Sequence, residues 1–133
     1  MTHSLSLRVY YEDTDLAGIV YYANYLKFIE RGRTEWVRAL GIDQVRLRAE
    51  AGIVFAVRRV EADYLRPAKF DDMLRIDTRL LAITGARIVL EQDIWRGPDR
   101  VFAAQVVLVC LTESGHPARL PGDIRRLLAP VVH

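Results

Sequence analysis

One segment of the chain has the spacing of a long amphipathic helix. Apolar or small residues recur there at intervals of three and four positions, namely Tyr25, Ile29, Gly32, Trp36 and Leu40. This spacing predicts a helix of about four turns with one apolar face. Asn24 is a residue type that caps helix N-termini, and Gly41 is well placed to end the helix. A helix with such a stripe must bury it against another element, and this requirement constrains the whole fold.

The remaining sequence alternates like β-strands that are joined by short turns. Strands are predicted at 5–11, 53–67, 73–83, 86–96 and 101–112. The connection 42–52 is predicted to be short and either helical or irregular, and 121–129 is predicted to be a short terminal helix capped by Asp123. On the second strand, alternation predicts one face that carries Val54, Ala56, Val60, Ala62 and Tyr64.

One long helix and about five strands predict an α+β fold. Short turns between consecutive strands favour antiparallel pairing, and the helix stripe has only that sheet to be buried against. The 133 residues contain no repeat or linker, so we expect a single domain over residues 1–133. Because one helix cannot cover both faces of such a sheet, we expect an exposed face or an edge strand to meet another copy of the chain.

The chain contains few of the side chains that enzymes use as nucleophiles. Cys110 is the only cysteine, so neither an internal disulfide nor a cysteine-based metal site can form. The serines and histidines are equally few: Ser4, Ser6, Ser114, His3, His116 and His133. A Ser/His/Asp triad therefore has little support. Any catalysis must depend on carboxylates, backbone dipoles and bound water.

Charge and hydropathy exclude several classes of protein. The formal net charge of +2 is too small for a nucleic-acid-binding protein. Of the 19 basic residues, all but Lys27 and Lys69 are arginine, which leaves many guanidinium groups available for phosphates. The apolar run 106–111 is far shorter than the roughly 18 residues that cross a bilayer. The N-terminus lacks the features of a signal peptide, so we expect a cytoplasmic protein without a membrane span.

The loop that enters the predicted helix is rich in acidic residues. Glu12, Asp13 and Asp15 lie within four positions just before the helix. Acids there oppose the positive end of the helix dipole, which is a purely structural interpretation. A functional interpretation uses the same geometry, because a carboxylate beside free backbone N–H groups suits acyl transfer or hydrolysis. A metal site on the Asp-x-Asp spacing is the weaker interpretation, since no further ligand cluster is present, and we expect no metal.

Small and aromatic residues follow these acids. Gly18 would let the backbone approach a substrate closely. Tyr21, Tyr22 and Tyr25 could form the wall of a pocket or pack in the core. The pattern alone leaves both interpretations open.

Residues 8–42, RVYYEDTDLAGIVYYANYLKFIERGRTEWVRALGI, resemble the 4-hydroxybenzoyl-CoA thioesterase family, and within it most of all the bacterial Tol-Pal-associated acyl-CoA thioesterases. Residues 55–80 and 106–112 match as well, so the resemblance covers most of the chain. It implies the hotdog fold, in which a curved antiparallel sheet wraps one long helix. It also implies hydrolysis of an acyl-CoA to a free acid and CoA by a homodimer or homotetramer that needs no cofactor.

The resemblance also implies which residues form the site. The second Asp of the D-x-D motif, Asp15, would act as nucleophile or general base, and the backbone N–H of Tyr22 would polarise the thioester carbonyl. Some Tol-Pal-type members carry His at the position of Tyr22, so only the backbone role is carried over to this chain. The residues implied to contact the substrate are Gly18, Ile19, Val20, Tyr21, Asn24 and Tyr25.

Other candidate residues have simpler interpretations. Glu30 and Glu35 are expected to pair along the helix with arginines three or four positions away. Asp13 is expected to orient the loop, and Cys110 to be an inert core thiol. The arginines that could reach CoA phosphates are Arg58, Arg59, Arg66, Arg87, Arg125 and Arg126.

Two rival functions belong to other classes. A non-catalytic hotdog module that binds acyl groups or a protein partner is the first. Asp15 together with Gly18 argues against it, because binding alone needs no carboxylate facing a thioester. A nucleic-acid binder is the second, and the low net charge argues against that class.

Overall fold

The computed structural model describes residues 1–129. In chain order its elements are β1 (Thr2–Arg8), α1 (Asn24–Ala39), α2 (Gln44–Ala51), β2 (Ile53–Tyr64), β3 (Met73–Thr84), β4 (Arg87–Arg96), β5 (Asp99–Thr112) and α3 (Gly122–Leu128). The predicted α+β class, with one long helix and five antiparallel strands, is confirmed. The predicted first strand is displaced, because its pairing with β3 covers Thr2 to Arg8 and a 3₁₀ turn forms at Tyr11–Asp13.

The five strands form one sheet in the order β1-β3-β4-β5-β2, and every neighbouring pair is antiparallel. Short turns join β3 to β4 and β4 to β5, so these consecutive strands lie side by side. The two strands that flank the helical segment in the chain, β1 and β2, form the edges of the sheet. In the described part of the chain, the outer edge of β2 therefore has no partner strand.

The predicted apolar stripe of α1 packs against the sheet. Tyr25, Ile29 and Trp36 are exposed by 3%, 1% and 6%, and Gly32 is buried between them. Gly41 follows the end of the helix with a φ of +86°, a conformation that glycine adopts without steric cost. Both the length of the helix and the residue that ends it agree with the prediction.

Gly32 allows α1 to lie close to the sheet. A Cβ at this position would be 2.5 Å from Ile76 Cγ2 and 3.3 Å from Thr78 Oγ1. The buried amide of Gln92 lies at the same contact, and it donates to the C=O of Ile29 at 2.8 Å and to the Thr78 hydroxyl at 2.9 Å. The core beneath α1 therefore includes polar groups, and these groups are hydrogen-bonded.

Both predicted helix caps are wrong. The N-cap of α1 is Ala23, and Asn24 is the first residue of the helix. The Asn24 amide turns away from its own helix and donates to Asp13 at 3.0 Å. At α3 the N-cap is Pro121, no side chain caps the helix, and Asp123 lies within the first turn.

A β-bulge divides β2 into two parts. The register with β5 shifts between Val57 and Arg59, which leaves Arg58 as an extra residue. An extra residue reverses the faces to which side chains point on either side of it. The prediction of one common face is therefore wrong for Val54 and Ala56, which lie on the outer face of the sheet. The residues beyond the bulge keep the helix-facing side: Val60, Ala62 and Tyr64.

The connection after α1 is helical. Asp43 caps α2 by accepting a hydrogen bond from the N–H of Arg46 at 3.0 Å, and Gly52 ends the helix with a φ of +65°. Neither α2 nor any other helix within residues 1–129 is long and apolar enough to cross a membrane.

Candidate active site

The loop between β1 and α1 is held in a tight turn by its own backbone. The N–H of Asp15 donates to the C=O of Ile19 at 2.9 Å, and the N–H of Gly18 donates to the C=O of Asp15 at 3.0 Å. Gly18 has a φ of +81°, which residues with a Cβ rarely adopt. A Cβ there would meet no atom within 4 Å, so the backbone conformation rather than space requires glycine.

Asp15 is half-buried, and only one of its two carboxylate oxygens accepts hydrogen bonds. Its Oδ1 accepts hydrogen bonds from the N–H of Ala17 at 2.9 Å and from the N–H of Ile19 at 3.4 Å. Within residues 1–129, no basic side chain forms a salt bridge with Asp15 and no donor reaches Oδ2. One oxygen is thus oriented by the backbone, while the other is free to act as a nucleophile or a base.

Tyr22 immediately precedes the N-cap residue of α1, Ala23. On its two sides, the N–H of Tyr21 donates to the C=O of Asp13 and the N–H of Asn24 donates to the C=O of Tyr21, both at 2.8 Å. Among the hydrogen bonds of the described residues, none uses the N–H of Tyr22. This donor is therefore available to polarise a carbonyl group at the positive end of the helix dipole.

Asp13 has surroundings quite different from those of Asp15. It is 5% exposed, and both of its carboxylate oxygens accept hydrogen bonds. Oδ2 accepts from the N–H of Tyr10 at 2.8 Å, and Oδ1 accepts from the side-chain amide of Asn24 at 3.0 Å. A carboxylate that is buried and fully hydrogen-bonded cannot attack a substrate. These contacts agree with the prediction that Asp13 orients the loop.

Three exposed tyrosines form an aromatic surface beside the loop. Tyr21, Tyr22 and Tyr64 are 46%, 61% and 47% exposed. The ring centroids of Tyr21 and Tyr22 are 4.9 Å apart, and those of Tyr22 and Tyr64 are 6.2 Å apart. The Tyr64 hydroxyl also donates to the C=O of Tyr22 at 3.0 Å. Sequence reasoning missed Tyr64 as a site residue, because 42 positions separate it from Tyr22 and no local pattern indicates their contact.

Tyr25 lies in the core behind this surface and is only 3% exposed. Its ring stacks on Phe102 with centroids 5.2 Å apart, and its hydroxyl accepts a hydrogen bond from the N–H of Ala68 at 3.0 Å. Burial raises the pKa of the Tyr25 phenol, so this group stays neutral at physiological pH. Its centroid is also 5.5 Å from that of Tyr64, so Tyr25 supports the aromatic surface from within.

The other predicted substrate-binding residues divide into two groups. Val20 and Asn24, exposed by 2% and 8%, have side chains inside the fold. Gly18, Ile19 and Tyr21 are accessible on the loop. Gly18 and Ile19 are hydrogen-bonded to Asp15, whereas Tyr21 and Asn24 are hydrogen-bonded to Asp13. Contact of the predicted residues with a substrate stays a prediction.

Two residues with simpler interpretations lie where the sequence indicated. Cys110 is completely buried, and burial raises its thiol pKa to about 11. Glu35 pairs with Arg38 along α1, as predicted. Glu30 instead accepts a hydrogen bond from the Thr34 hydroxyl at 2.6 Å.

Two of the arginines considered for phosphate contacts are already paired. A guanidinium nitrogen of Arg59 lies 2.6 Å from a carboxylate oxygen of Glu61, and the corresponding distance from Arg66 to Asp99 is 3.2 Å. Exposed pairs of this kind contribute roughly 0–1 kcal/mol, so a phosphate group could replace either carboxylate.

The chain matches known thioesterases along most of its length. The Thioesterase superfamily profile matches residues 17–103. The acyl-CoA thioesterase YbgC of Haemophilus influenzae is 42% identical over 123 residues, which cover 92% of this chain and 90% of that protein.

Solved structures give the same result at the level of the fold. The crystal structure of a probable thioesterase from Bartonella henselae is 40% identical, with a TM-score of 0.88, and the match covers 91% of this chain and 100% of that one. A mutant 4-hydroxybenzoyl-CoA thioesterase in complex with 4-hydroxybenzoyl-CoA is 22% identical and shares the fold, with a TM-score of 0.89 over 96% of this chain and 99% of that one. The hotdog architecture is therefore confirmed, and the chain belongs to the thioesterase superfamily.

Proposed function

We propose that the protein hydrolyses acyl-CoA thioesters to a free acid and CoA. The observation that carries this proposal is that one short loop before α1 contains both a carboxylate with a free oxygen, Asp15, and a backbone N–H without an acceptor, that of Tyr22. Membership of the thioesterase superfamily and 42% identity to an acyl-CoA thioesterase support the same activity.

The substrate carbonyl is polarised by the N-terminal end of α1. Its oxygen accepts a hydrogen bond from the N–H of Tyr22, next to the positive end of the helix dipole. Negative charge grows on this oxygen as the carbonyl carbon becomes tetrahedral, so the donor stabilises the transition state more than the bound substrate. One donor in such a position typically accelerates the reaction about 100- to 1,000-fold.

Asp15 then acts by one of two routes. In the first, Oδ2 attacks the carbonyl carbon and the C–S bond breaks, which releases the CoA thiolate and leaves a mixed anhydride for water to hydrolyse. In the second, Asp15 takes a proton from water as that water attacks the carbonyl carbon. A thiolate is a good leaving group, so neither route needs a strong general acid.

A second copy of the chain completes the proposed enzyme. The outer edge of β2 is unpaired in residues 1–129, and its helix-facing side chains Val57, Val60 and Tyr64 are 48%, 36% and 47% exposed. Two such edges paired about a two-fold axis would continue the sheet and cover these side chains. Because Tyr64 contacts Tyr22, the same pairing would enclose the site from one side. The unit is then a homodimer, and two such dimers would make the homotetramer.

Thiol release measures the proposed activity directly. Purified protein is assayed with propionyl-CoA, palmitoyl-CoA and 4-hydroxybenzoyl-CoA, which represent short, long and aromatic acyl groups. We expect turnover of at least one of them, and we expect Asp15→Asn to lose most of it, because an amide can neither attack nor accept the proton of water. Circular dichroism should show that the variant keeps the native fold.

Asp123→Asn is the matched control, because it removes an exposed carboxylate on α3 and should keep wild-type turnover. Release from none of the substrates would favour the non-catalytic binding module. Wild-type turnover by folded Asp15→Asn would overturn the assignment of the site.

A further inference from the structure

We propose that Asp13 and Asn24 are positioning residues for this reaction, and that their buried hydrogen bond sets the separation between the Asp15 carboxylate and the N–H of Tyr22. This inference rests on the proposed function, since it concerns the same site. It differs from the sequence-based expectations, which made Asn24 a helix cap and a substrate contact.

The hydrogen bond joins the acidic loop to the first turn of α1 inside the protein. Asp13 and Asn24 are 5% and 8% exposed, and the bond between Oδ1 and the amide nitrogen is 3.0 Å long. The second carboxylate oxygen accepts from the N–H of Tyr10 at 2.8 Å. Because these atoms are hydrogen-bonded to one another and buried from solvent, the Asp13 carboxylate and the Asn24 amide nitrogen are not available to the substrate.

The same two residues connect the backbone on both sides of the site. The C=O of Asp13 accepts from the N–H of Tyr21, and the C=O of Tyr21 accepts from the N–H of Asn24, both at 2.8 Å. Asp15 follows Asp13 by two residues, and Tyr22 lies between the two bonded residues of the helix entrance. A shift of Asp13 relative to Asn24 must therefore move the proposed nucleophile relative to the carbonyl-binding N–H.

Catalysis is sensitive to such a shift. A hydrogen bond to a buried carboxylate is stronger than one between neutral groups, and removing either partner leaves a buried polar group unsatisfied. Misplacement of reacting groups by about 1 Å costs roughly 100-fold in rate. Both substituted side chains are buried beneath the loop and leave the exposed groups that would bind the substrate chemically unchanged, so we expect kcat to fall and KM to stay close to the wild-type value.

The test exchanges the two side chains. Asp13→Asn replaces the charged carboxylate by a neutral amide with one acceptor oxygen instead of two. Asn24→Asp removes the donor and places two carboxylates opposite each other. In the double variant Asp13→Asn/Asn24→Asp, the amide at position 13 can donate to the carboxylate at position 24 and still accept from the N–H of Tyr10. We expect each single variant to lose about 10- to 100-fold in kcat at nearly constant KM, and the exchange to recover most of the loss.

Kinetics are measured with whichever of propionyl-, palmitoyl- and 4-hydroxybenzoyl-CoA the wild-type protein hydrolyses fastest. Asp15→Asn and Asp123→Asn are assayed in parallel. If Asp15→Asn abolishes thiol release while both single variants keep wild-type kcat, this inference fails and the proposed function stands. If Asp15→Asn itself keeps wild-type kcat, the proposed function fails.

Folding is followed by circular dichroism and thermal unfolding for every variant. Asn24→Ala is a further single variant, since alanine is well accommodated in the first turn of a helix. If kcat of the double variant stays as low as that of the single variants although it folds, the positioning role is overturned. It is equally overturned if none of the three single variants folds, because the bond would then be a requirement of the fold itself.

Discussion

Asp13 and Asp15 are two positions apart, yet their carboxylates have different partners. Both oxygens of Asp13 are buried and hydrogen-bonded, whereas Oδ2 of Asp15 meets no donor among the described residues. The difference arises because the chain turns at Gly18 and brings the α1 entrance back beside Asp13. One acid can therefore support the loop while the other remains free for chemistry.

At the same scale, the proposed role of Tyr22 belongs to its backbone. The phenol ring is 61% exposed, and the group assigned to the carbonyl is the N–H. Tyr22→Phe keeps that N–H and the aromatic ring, so we expect kcat/KM in the thiol-release assay to stay within about twofold of wild type. A loss of about 100-fold would mean that the phenol hydroxyl takes part in the reaction.

Cys110 allows a test of burial. Burial raises its thiol pKa from the ordinary 9.0 to about 11, so at pH 8 only about one molecule in a thousand carries the reactive thiolate. We expect a thiol reagent to leave the folded protein unmodified at pH 8 and to modify it fully in guanidinium chloride. The raised pKa also means that the contribution of this thiol to stability is complete below about pH 9 and is lost as the pH rises through about 11. Rapid modification of the folded protein would show that the thiol is accessible.

At the scale of elements, the approach of α1 to the sheet depends on Gly32. A Cβ there would lie 2.5 Å from Ile76 Cγ2, so Gly32→Ala must displace a packed side chain. Overpacking costs about 1–3 kcal/mol, which exceeds the roughly 1 kcal/mol that alanine contributes through helix propensity. We therefore expect a lower free energy of unfolding, measured by urea denaturation.

Gly85→Ala is the matched control for that substitution. A Cβ at Gly85 would meet nothing within 4 Å, and the residue does not have a positive φ. Its free energy of unfolding should be nearly that of wild type. A Gly32→Ala protein as stable as this control would show that the helix can move away from the sheet without cost.

At the scale of the whole molecule, the free edge of β2 predicts self-association. Val57→Lys places a charge on that edge, where Val57 is 48% exposed, and a buried unpaired charge opposes pairing. We expect light scattering after size exclusion to give a dimer or tetramer for the wild type and a smaller species for the variant. Val45→Lys, at an 81% exposed position on α2, should leave the mass unchanged. The same mass for all three proteins would place the interface elsewhere.

Periodicity alone determined much of the architecture. The three- and four-residue spacing from Tyr25 to Leu40 predicts α1. The alternating segments after position 53 predict four of the strands, and the short turns between them predict antiparallel pairing. These features are visible in the sequence because helix and strand periods depend on neighbouring residues. The acidic loop before α1 is visible for the same reason, and the resemblance of residues 8–42 to a thioesterase family implies the roles of Asp15 and Tyr22.

Only the tertiary structure decided how distant residues meet. The bulge at Arg58 places Val54 and Ala56 on the outer face of the sheet. Asn24, which the sequence predicts as a helix cap, instead joins the first turn of α1 to the acidic loop through its hydrogen bond to Asp13. The contact of Tyr64 with Tyr22 joins positions 42 residues apart. Alternation cannot reveal an inserted residue, and a hydrogen bond between distant positions depends on how the packed sheet and helix place their side chains, which no local pattern encodes.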